Sequence, residues 1–457
     1  MSPIFQKSLK ILVSGLMLLS SHFLAATPRE DFLTTFLLFS GIFLGMISIN
    51  YWSKNSFSWK YVFLLGLGMR ISVGMLVPNW SEDYARFLWD GKLLELGENP
   101  YSKTPGKWVE NPASPISDYQ LGLFDDMNSP DYYSVYPPLN QGAFWLVSEV
   151  FVDSQTLGVL GLRILLLFGE LGVFFLLFRL LDRWNRTSTY MIWYWLNPFV
   201  VMETIGNVHF EGLVLFFLLA SVFALSHSKF GLSGGFWAMA AGLKLLPLIL
   251  FPAFFFFREI TKKMSFWIVF GVIFGGSMGI LFLGESYLKF FESLRLYSGK
   301  FEFNASLYYI FREVGFWIQG YNMIRDLTQV LSLLTVVLIL FLCWKRRPIQ
   351  VAGLVDLMVM VYLIYLILQP VVHPWYLLPG LGLSVLAGRK TFLLWSFGAI
   401  FSYQAYGNPE NWENPLFLLL EYGLVFLGIW LDYFQPKRNS NFETINHEKG
   451  TFINSLQ

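Results

Sequence analysis

The chain has 457 residues, of which 55% are hydrophobic and only 14% charged, with a net charge of +1 and a mean hydropathy of +0.52. A soluble domain carries about 25% charged residues, so this chain cannot clothe a water-facing surface of ordinary polarity. No basic stripe points to a nucleic acid partner, and the single cysteine, Cys343, excludes an intramolecular disulfide.

Apolar runs of about 20 residues, enough to cross about 30 Å of hydrocarbon, recur along the whole sequence. They predict helical spans over 9–26, 32–51, 60–78, 157–181, 189–206, 210–227, 265–284, 324–344, 350–370, 375–388, 391–406 and 414–434. The first run, behind Lys7 and Lys10, reads as an uncleaved span rather than a signal peptide, because hydrophobicity continues throughout the chain. Basic clusters punctuate the runs at Lys54/Lys60, Arg179/Arg183/Arg186, Arg258/Lys262/Lys263, Lys345/Arg346/Arg347, Arg389/Lys390 and Lys437/Arg438. Lysine and arginine in short loops mark the cytoplasmic side. All these clusters fit on that side if 231–257, GLSGGFWAMAAGLKLLPLILFPAFFFF, enters and leaves by one face. Two helical legs of about 13 residues reach about 20 Å each, and Pro247 and Pro252 interrupt the run. A broken helical hairpin with its tip near Lys244 is expected.

The fold class that follows is all-α and integral to the membrane. It comprises about 12–13 transmembrane helices, the broken hairpin and a long first extracytoplasmic loop. The membrane domain covers 1–436, with 79–156 as that loop, and 437–457 is a polar cytoplasmic tail. Loops 79–156, 206–210, 285–323, 371–375 and 407–413 share the outer face. The first is far longer than a connector and rich in aromatics, prolines and carboxylates, which marks an ordered functional loop.

The long loop opens NWSEDYARFLWDGKLLELGENPYSKTP. Ser81 is a plausible N-cap for a helix running from Glu82 to Gly97, where Asn99-Pro100 stops it. On that helix Asp83, Arg86 and Asp90 fall at i, i+3 and i+7, on one face, with Glu82 as a second carboxylate beside Asp83. Two readings stand at this point. The bland one is an amphipathic interface helix with a solvated charged face. The chemical one makes a carboxylate a general base or cation ligand positioned by its neighbours.

The stretch Asp83-Tyr84-x-x-Phe87-x-x-Asp90-Gly91, then Gly97-x-Asn99-Pro100-Tyr101 and Tyr136-Pro137-Pro138-Leu139, resembles the first extracytoplasmic loop of GT-C glycosyltransferases. It is most similar to bacterial polyprenyl-phosphate-mannose-dependent mannosyltransferases and the first GPI-anchor mannosyltransferase. Leu196-Asn197-Pro198-Phe199 with Gly206-Asn207-x-x-x-Glu211, then Gly242-Leu243-Lys244-x-x-Pro247, and His373-Pro374-Trp375-Tyr376-Leu377-Leu378-Pro379 are similar to later motifs of that group, in the same order. The GPI enzymes carry Asp-x-Asp where this chain has Ser81-Glu82-Asp83, and the Asn207–Glu211 segment is one residue longer here.

The resemblance implies a sugar transferase in a bacterial cytoplasmic membrane. It would move a sugar, mannose by the nearest likeness, from a polyprenyl phosphate to a glycan or glycolipid acceptor on the outer face. Asp83 is then the base for the acceptor hydroxyl, with Arg86 and Asp90 completing the catalytic set. Lys244, His373, Glu82, Asn207, Glu211 and Tyr136 are substrate-binding candidates. A carboxylate at a loop avoids the roughly 2.5–3.5 kcal/mol that aspartate costs at a span's centre, and a lipid donor reaches it sideways. The leaving phosphate calls for cations, for which Arg86, Lys244, His373, Arg295, Lys300 and Arg312 are available on that face. Lys244 also reads as a lysine snorkelling to the headgroups. Arg163, Glu170 and Asp356 lie within spans and read equally as internal ion pairs or site residues.

His209 beside Glu211 provides two metal-ligand types without a third at suitable spacing, so no metal or other cofactor is assigned. The alternative function is a transporter or flippase for a lipid-linked glycan, but such proteins pair their broken helices in repeats, and only one broken hairpin is evident here. A receptor or structural role is the third reading. The charge alternation yields a direct test of sidedness. A cysteine introduced at Lys107 labels with a membrane-impermeant reagent in intact cells and one at Asn185 does not; the reverse pattern inverts the topology.

Overall fold

A computed structural model describes residues 3–54, 57–408 and 410–435; the predicted tail, 437–457, lies outside them. Helices α1 (Pro3–Ala26), α2 (Phe32–Ser53) and α3 (Trp59–Val73) come first. The long loop then carries α4 (Asp83–Glu95), α5 (Pro105–Val109), α6 (Asp118–Asp125) and α7 (Pro138–Val150). Next are α8 (Gln155–Arg183), α9 (Ile192–Trp195), α10 (Pro198–Val201), α11 (Glu211–Ser226), α12 (Phe230–Leu243), α13 (Phe251–Phe255) and α14 (Met264–Gly279). The chain ends with α15 (Ser286–Lys300), α16 (Leu307–Gln319), α17 (Ile324–Arg346), α18 (Val351–Leu368), α19 (Leu377–Ala387), α20 (Thr391–Gly398) and α21 (Pro415–Ile429).

The protein is all-α and polytopic, as its composition requires. Among the described residues, seven helices are long and apolar enough to cross a membrane uninterrupted, based on α1, α2, α8, α14, α17, α18 and α21. The other expected spans are shorter or broken. The predicted 60–78 span ends as helix at Val73, so its 15 residues rise only about 23 Å. The predicted 189–206 span is interrupted at Asn197-Pro198, where Pro198 has no N–H to donate and the Asn197 side chain accepts from Phe199 N (3.0 Å). It resumes as α10 and a π-helical turn, Met202–Gly206, and the chain then bends by 110° into α11. The interruptions cluster where polar residues gather.

The hairpin expected at 231–257 is present as a break at Lys244, whose φ of −150° and ψ of 132° end α12. A 3-10 turn over Leu246–Leu250 leads into α13. The return leg folds onto the first: the Trp237 indole donates to Pro247 O (3.1 Å) and its ring lies 4.5 Å from that of Phe254. Arg258 N donates to Pro348 O (3.2 Å), so the end of the hairpin meets the Lys345–Arg347 cluster.

Charges inside the bundle are met by ion pairs or by hydrogen bonds. Arg70 on α3 meets Glu170 on α8 at 2.6 Å, both fully buried, while Tyr194 O–H donates to Glu170 (2.7 Å) and Trp195 lies under the guanidinium at 3.6 Å. Asp356 pairs with Arg389 at 2.7 Å. Arg163 has no carboxylate partner and donates instead to the carbonyls of Gly74, Leu76, Ile205 and Gly206.

Within the long loop, α4 packs directly on α7. A Cβ on Gly91 would stand 2.5 Å from the Phe144 carbonyl oxygen, a backbone atom that cannot yield. Phe87 stacks on Phe144 at 4.7 Å, and Phe144 meets Phe210 at 5.4 Å, tying the loop to the membrane bundle. We expect Gly91→Ala to destabilise the protein by about 1–3 kcal/mol through overpacking. Gly122→Ala on α6, where nothing lies within 4 Å of the new methyl, should be neutral or stabilising by up to about 1 kcal/mol. Thermal unfolding of the detergent-purified variants compares the two.

Candidate active site

The first turn of the long loop is fastened before α4 begins. Asn79 donates to the carbonyls of Ala25 and Ala26, and the Trp80 indole donates to Thr27 O (2.9 Å). Arg29 pairs with Glu82 at 2.5 Å and its guanidinium stacks over Tyr406 at 4.4 Å. Glu82, not Ser81, occupies the N-cap position, and it makes no side-chain cap hydrogen bond because its carboxylate is held by Arg29. Ser81 Oγ still accepts from Asp83 N (3.3 Å). The adjacent carboxylates therefore diverge, Glu82 toward the α1–α2 connection and Asp83 toward the segment between α10 and α11.

Asp83 keeps 24% of its side chain open to solvent and accepts from Asn128 (3.4 Å). Its Oδ2 is 3.8 Å from Nε2 of His209, which is 2% exposed. Nδ1 of that ring is 2.9 Å from Glu203 Oε2. Tyr403 O–H donates to the other Glu203 oxygen (2.6 Å), and Asn207 donates to Oε2 (3.1 Å). The backbone here is unusual: the π-helical turn precedes it, and Val208, a β-branched residue, sits at φ +64°. Such strain persists only where surrounding contacts impose it, and it concentrates at functional sites.

An aromatic wall continues from His209. Its ring is 3.9 Å from Trp375, whose indole is stacked against His373 at 4.5 Å, so Trp375 lies between two imidazoles. Phe303 flanks His373 at 5.3 Å, held by the pairing of Phe303 with 370–372. Tyr376 extends the wall to Lys244, whose ammonium lies 5.0 Å from the ring centre and pairs with Glu211. Lys244 is 31% exposed and Glu211 2%, so the cation faces outward from a buried counter-ion. His373 does not provide the positive charge expected of it. Burial, with Lys244 and His209 nearby, lowers its pKa to about 3, leaving a neutral imidazole whose Nδ1 is shielded from water without a hydrogen-bond partner.

The structure thus gathers Asp83, Asn207, Glu211, Lys244 and His373 into one cluster, and separates from it four residues that the sequence grouped there: Glu82, held by Arg29, and Arg86, Asp90 and Tyr136. Arg86 meets Asp90 at 2.8 Å and donates to the carbonyls of Ser129 and Tyr132, while Asp90 accepts from Ser134 and Gln141. Both are buried, and they hold the 129–141 segment against α4 rather than facing Asp83. Tyr136 packs its ring on Phe87 and accepts from Tyr101 through its carbonyl. Arg312, offered as a phosphate ligand, pairs with Glu302 and Glu313. His209 and Glu211 are likewise split between Glu203 and Lys244. Among the described residues, no three His, Cys, Asp or Glu side chains are arranged to hold a metal ion.

Glu203 and Tyr403 escaped the sequence reading. A carboxylate inside an apolar run was the available signal for Glu203; nothing local marks Tyr403, which is distant in the chain. A cavity of about 470 Å³ lined by Leu94, Tyr101, Pro138, Trp145 and Leu283 shares no residue with this cluster.

Two comparisons with known proteins bear on this arrangement. The family model described as alpha-(1->6)-mannopyranosyltransferase, N-terminal domain, matches residues 16–258, just over half of the chain. Over 195 residues the chain is 26% identical to alpha-(1->6)-mannopyranosyltransferase A of Corynebacterium glutamicum, an alignment covering 41% of the chain and 38% of that relative. The chain thus aligns with well under two thirds of that relative's length. The matched region contains Asp83, Glu203, His209, Glu211 and Lys244, and the chain belongs to the alpha-(1->6)-mannopyranosyltransferase family.

Proposed function

We propose that this protein transfers mannose from a polyprenyl-phosphate donor to a glycan or glycolipid acceptor at the extracytoplasmic face of a bacterial cytoplasmic membrane. The observation that carries the reading is the position of Asp83. It is a partly exposed carboxylate on the loop helix, set against a buried polar cluster, in a chain of the mannopyranosyltransferase family. A sugar hydroxyl is a weak nucleophile, and a carboxylate in reach of its proton raises its reactivity as it attacks the anomeric carbon. Asp83 is free for this because Arg29 holds Glu82 and Arg86 holds Asp90.

The leaving group is a phosphate monoester anion. Lys244 is the cation of the cluster best placed for it, pre-oriented by Glu211 and partly open. With the Trp375 faces taken by His209 and His373, the Tyr376 ring beside Lys244 is the aromatic surface that suits a sugar, and His373 offers a hydrogen bond rather than charge. Asn207, with a buried Oδ1 that has no partner, adds an acceptor on the same side. A donor anchored in the bilayer reaches a loop-level site without either substrate crossing the hydrocarbon.

Three substitutions test the assignment with radiolabelled polyprenyl-phosphate mannose and a synthetic alkyl α-(1→6)-dimannoside. Asp83→Asn should lower turnover by at least about a hundredfold, within the usual range for a general base, with normal folding. Asp90→Asn should instead cost about 3–5 kcal/mol of stability, because it breaks a buried ion pair. Glu82→Gln should lie closer to wild type in both respects, since its ion pair with Arg29 is partly exposed. Retention of most of the transfer rate by Asp83→Asn rules Asp83 out as the base.

A further inference from the structure

Asp83 does not stand alone. A carboxylate, an imidazole and a second carboxylate run in line from the solvent-reachable edge of the cluster into the protein: Asp83, then His209 at 3.8 Å, then Glu203 at 2.9 Å. Glu203 is 1% exposed and His209 2%, so both are shut away from bulk water. Ser81 Oγ lies 3.3 Å from His209 Nε2 and accepts from the backbone N–H of Asp83 (3.3 Å). We propose that His209, braced by Glu203, receives the proton that Asp83 removes from the acceptor hydroxyl. The inference rests on the transfer reading above and assigns two residues, His209 and Glu203, that act through Asp83 as positioning and proton-holding groups.

The step balances as follows. The acceptor O–H bond breaks, its electron pair forms the new bond from oxygen to the anomeric carbon, and the bond from that carbon to the phosphate oxygen breaks. The electron pair of that last bond leaves with the phosphate. The proton passes to Asp83 and from Asp83 Oδ2, across the 3.8 Å separation, to His209 Nε2. The imidazolium so formed lies between two carboxylates and returns its proton to Asp83, and thence to solvent, once the product departs. Glu203 fixes the tautomer: with Nδ1–H directed at its carboxylate, Nε2 presents its lone pair toward Asp83.

Several features exceed what a structural histidine requires. Packing alone would satisfy the ring with one hydrogen bond, yet both nitrogens face carboxylates. Tyr403 occupies the second Glu203 oxygen and Trp375 covers one face of the imidazole, so the ring has no alternative orientation. The strained Val208 backbone and the π-helical turn aim the side chain out of the path a regular helix would give it.

The test is a mutant cycle on the full-length protein, using the same radiolabelled donor and dimannoside acceptor. His209→Gln and Glu203→Gln should each lower kcat by about tenfold or more, with the KM for either substrate changed by less than about twofold, because neither residue touches substrate. In the Asp83→Asn background the same changes should cost less than a further factor of about two, since groups that act as a unit are not additive. Losses that multiply onto that of Asp83→Asn, or a KM effect without a kcat effect, overturn the relay while leaving glycosyl transfer standing. A wild type that transfers no mannose overturns both. If His209→Gln purifies poorly, the isosteric Glu203→Gln decides, since it keeps shape while removing the negative charge that braces the imidazolium.

Discussion

The site depends on how the chain between α10 and α11 is allowed to leave the helix. A buried unpaired carbonyl costs about 1–3 kcal/mol, so a 110° bend between packed helices requires replacement partners for the backbone it frees. Arg163 supplies them. Its guanidinium bonds the carbonyls of Ile205 and Gly206 on one side of the bend and those of Gly74 and Leu76, beyond α3, on the other. One planar group therefore both satisfies the broken helix and pins it to the approach of the long loop. Asn207, His209 and Glu211 lie in the few residues so displaced, and α4 delivers Asp83 to the same place.

The chemistry sits on rigid supports. Arg86 and Asp90 stiffen the loop from beneath, α4 lies against α7 with no room for a side chain at Gly91, and the Phe87–Phe144–Phe210 stack joins the loop to the bundle. A base that must meet a hydroxyl within hydrogen-bond reach gains from such immobility, because a displacement of about 1 Å can cost about a hundredfold in rate. Asp83 and Lys244 are partly open to solvent, while His209 beside Asp83 and Glu211 beside Lys244 are buried.

Much of this was legible in the sequence, for identifiable reasons. Long apolar runs and basic loops report on the bilayer directly, and prolines at 247 and 252 announced the hairpin that breaks at Lys244. The order of motifs along the chain pointed to the family. Helical spacing was less informative than it looked. Asp83, Arg86 and Asp90 share a face by periodicity, but that face is shared between the 129–141 segment and the cluster, and only tertiary packing decides which residue meets which. The Glu203–Tyr403 bond joins residues 200 positions apart, a contact that no local pattern encodes. His373 illustrates the same limit, since its surroundings between Trp375 and Phe303, with Lys244 and His209 nearby, push its pKa down, and no local pattern encodes them.

The placement of Trp375 has a consequence for biosynthesis. The residues that build the polar half of the cluster, from Asp83 to Lys244, are all synthesised within the stretch that matches the family. The aromatic half, with Trp375 wedged between His209 and His373 and Tyr403 on Glu203, emerges well over a hundred residues later. Until then Glu203 and His209 lack the covering groups that keep water from them. The two halves of the cluster thus become neighbours only once the chain from Trp375 to Tyr403 has joined the stretch that precedes it.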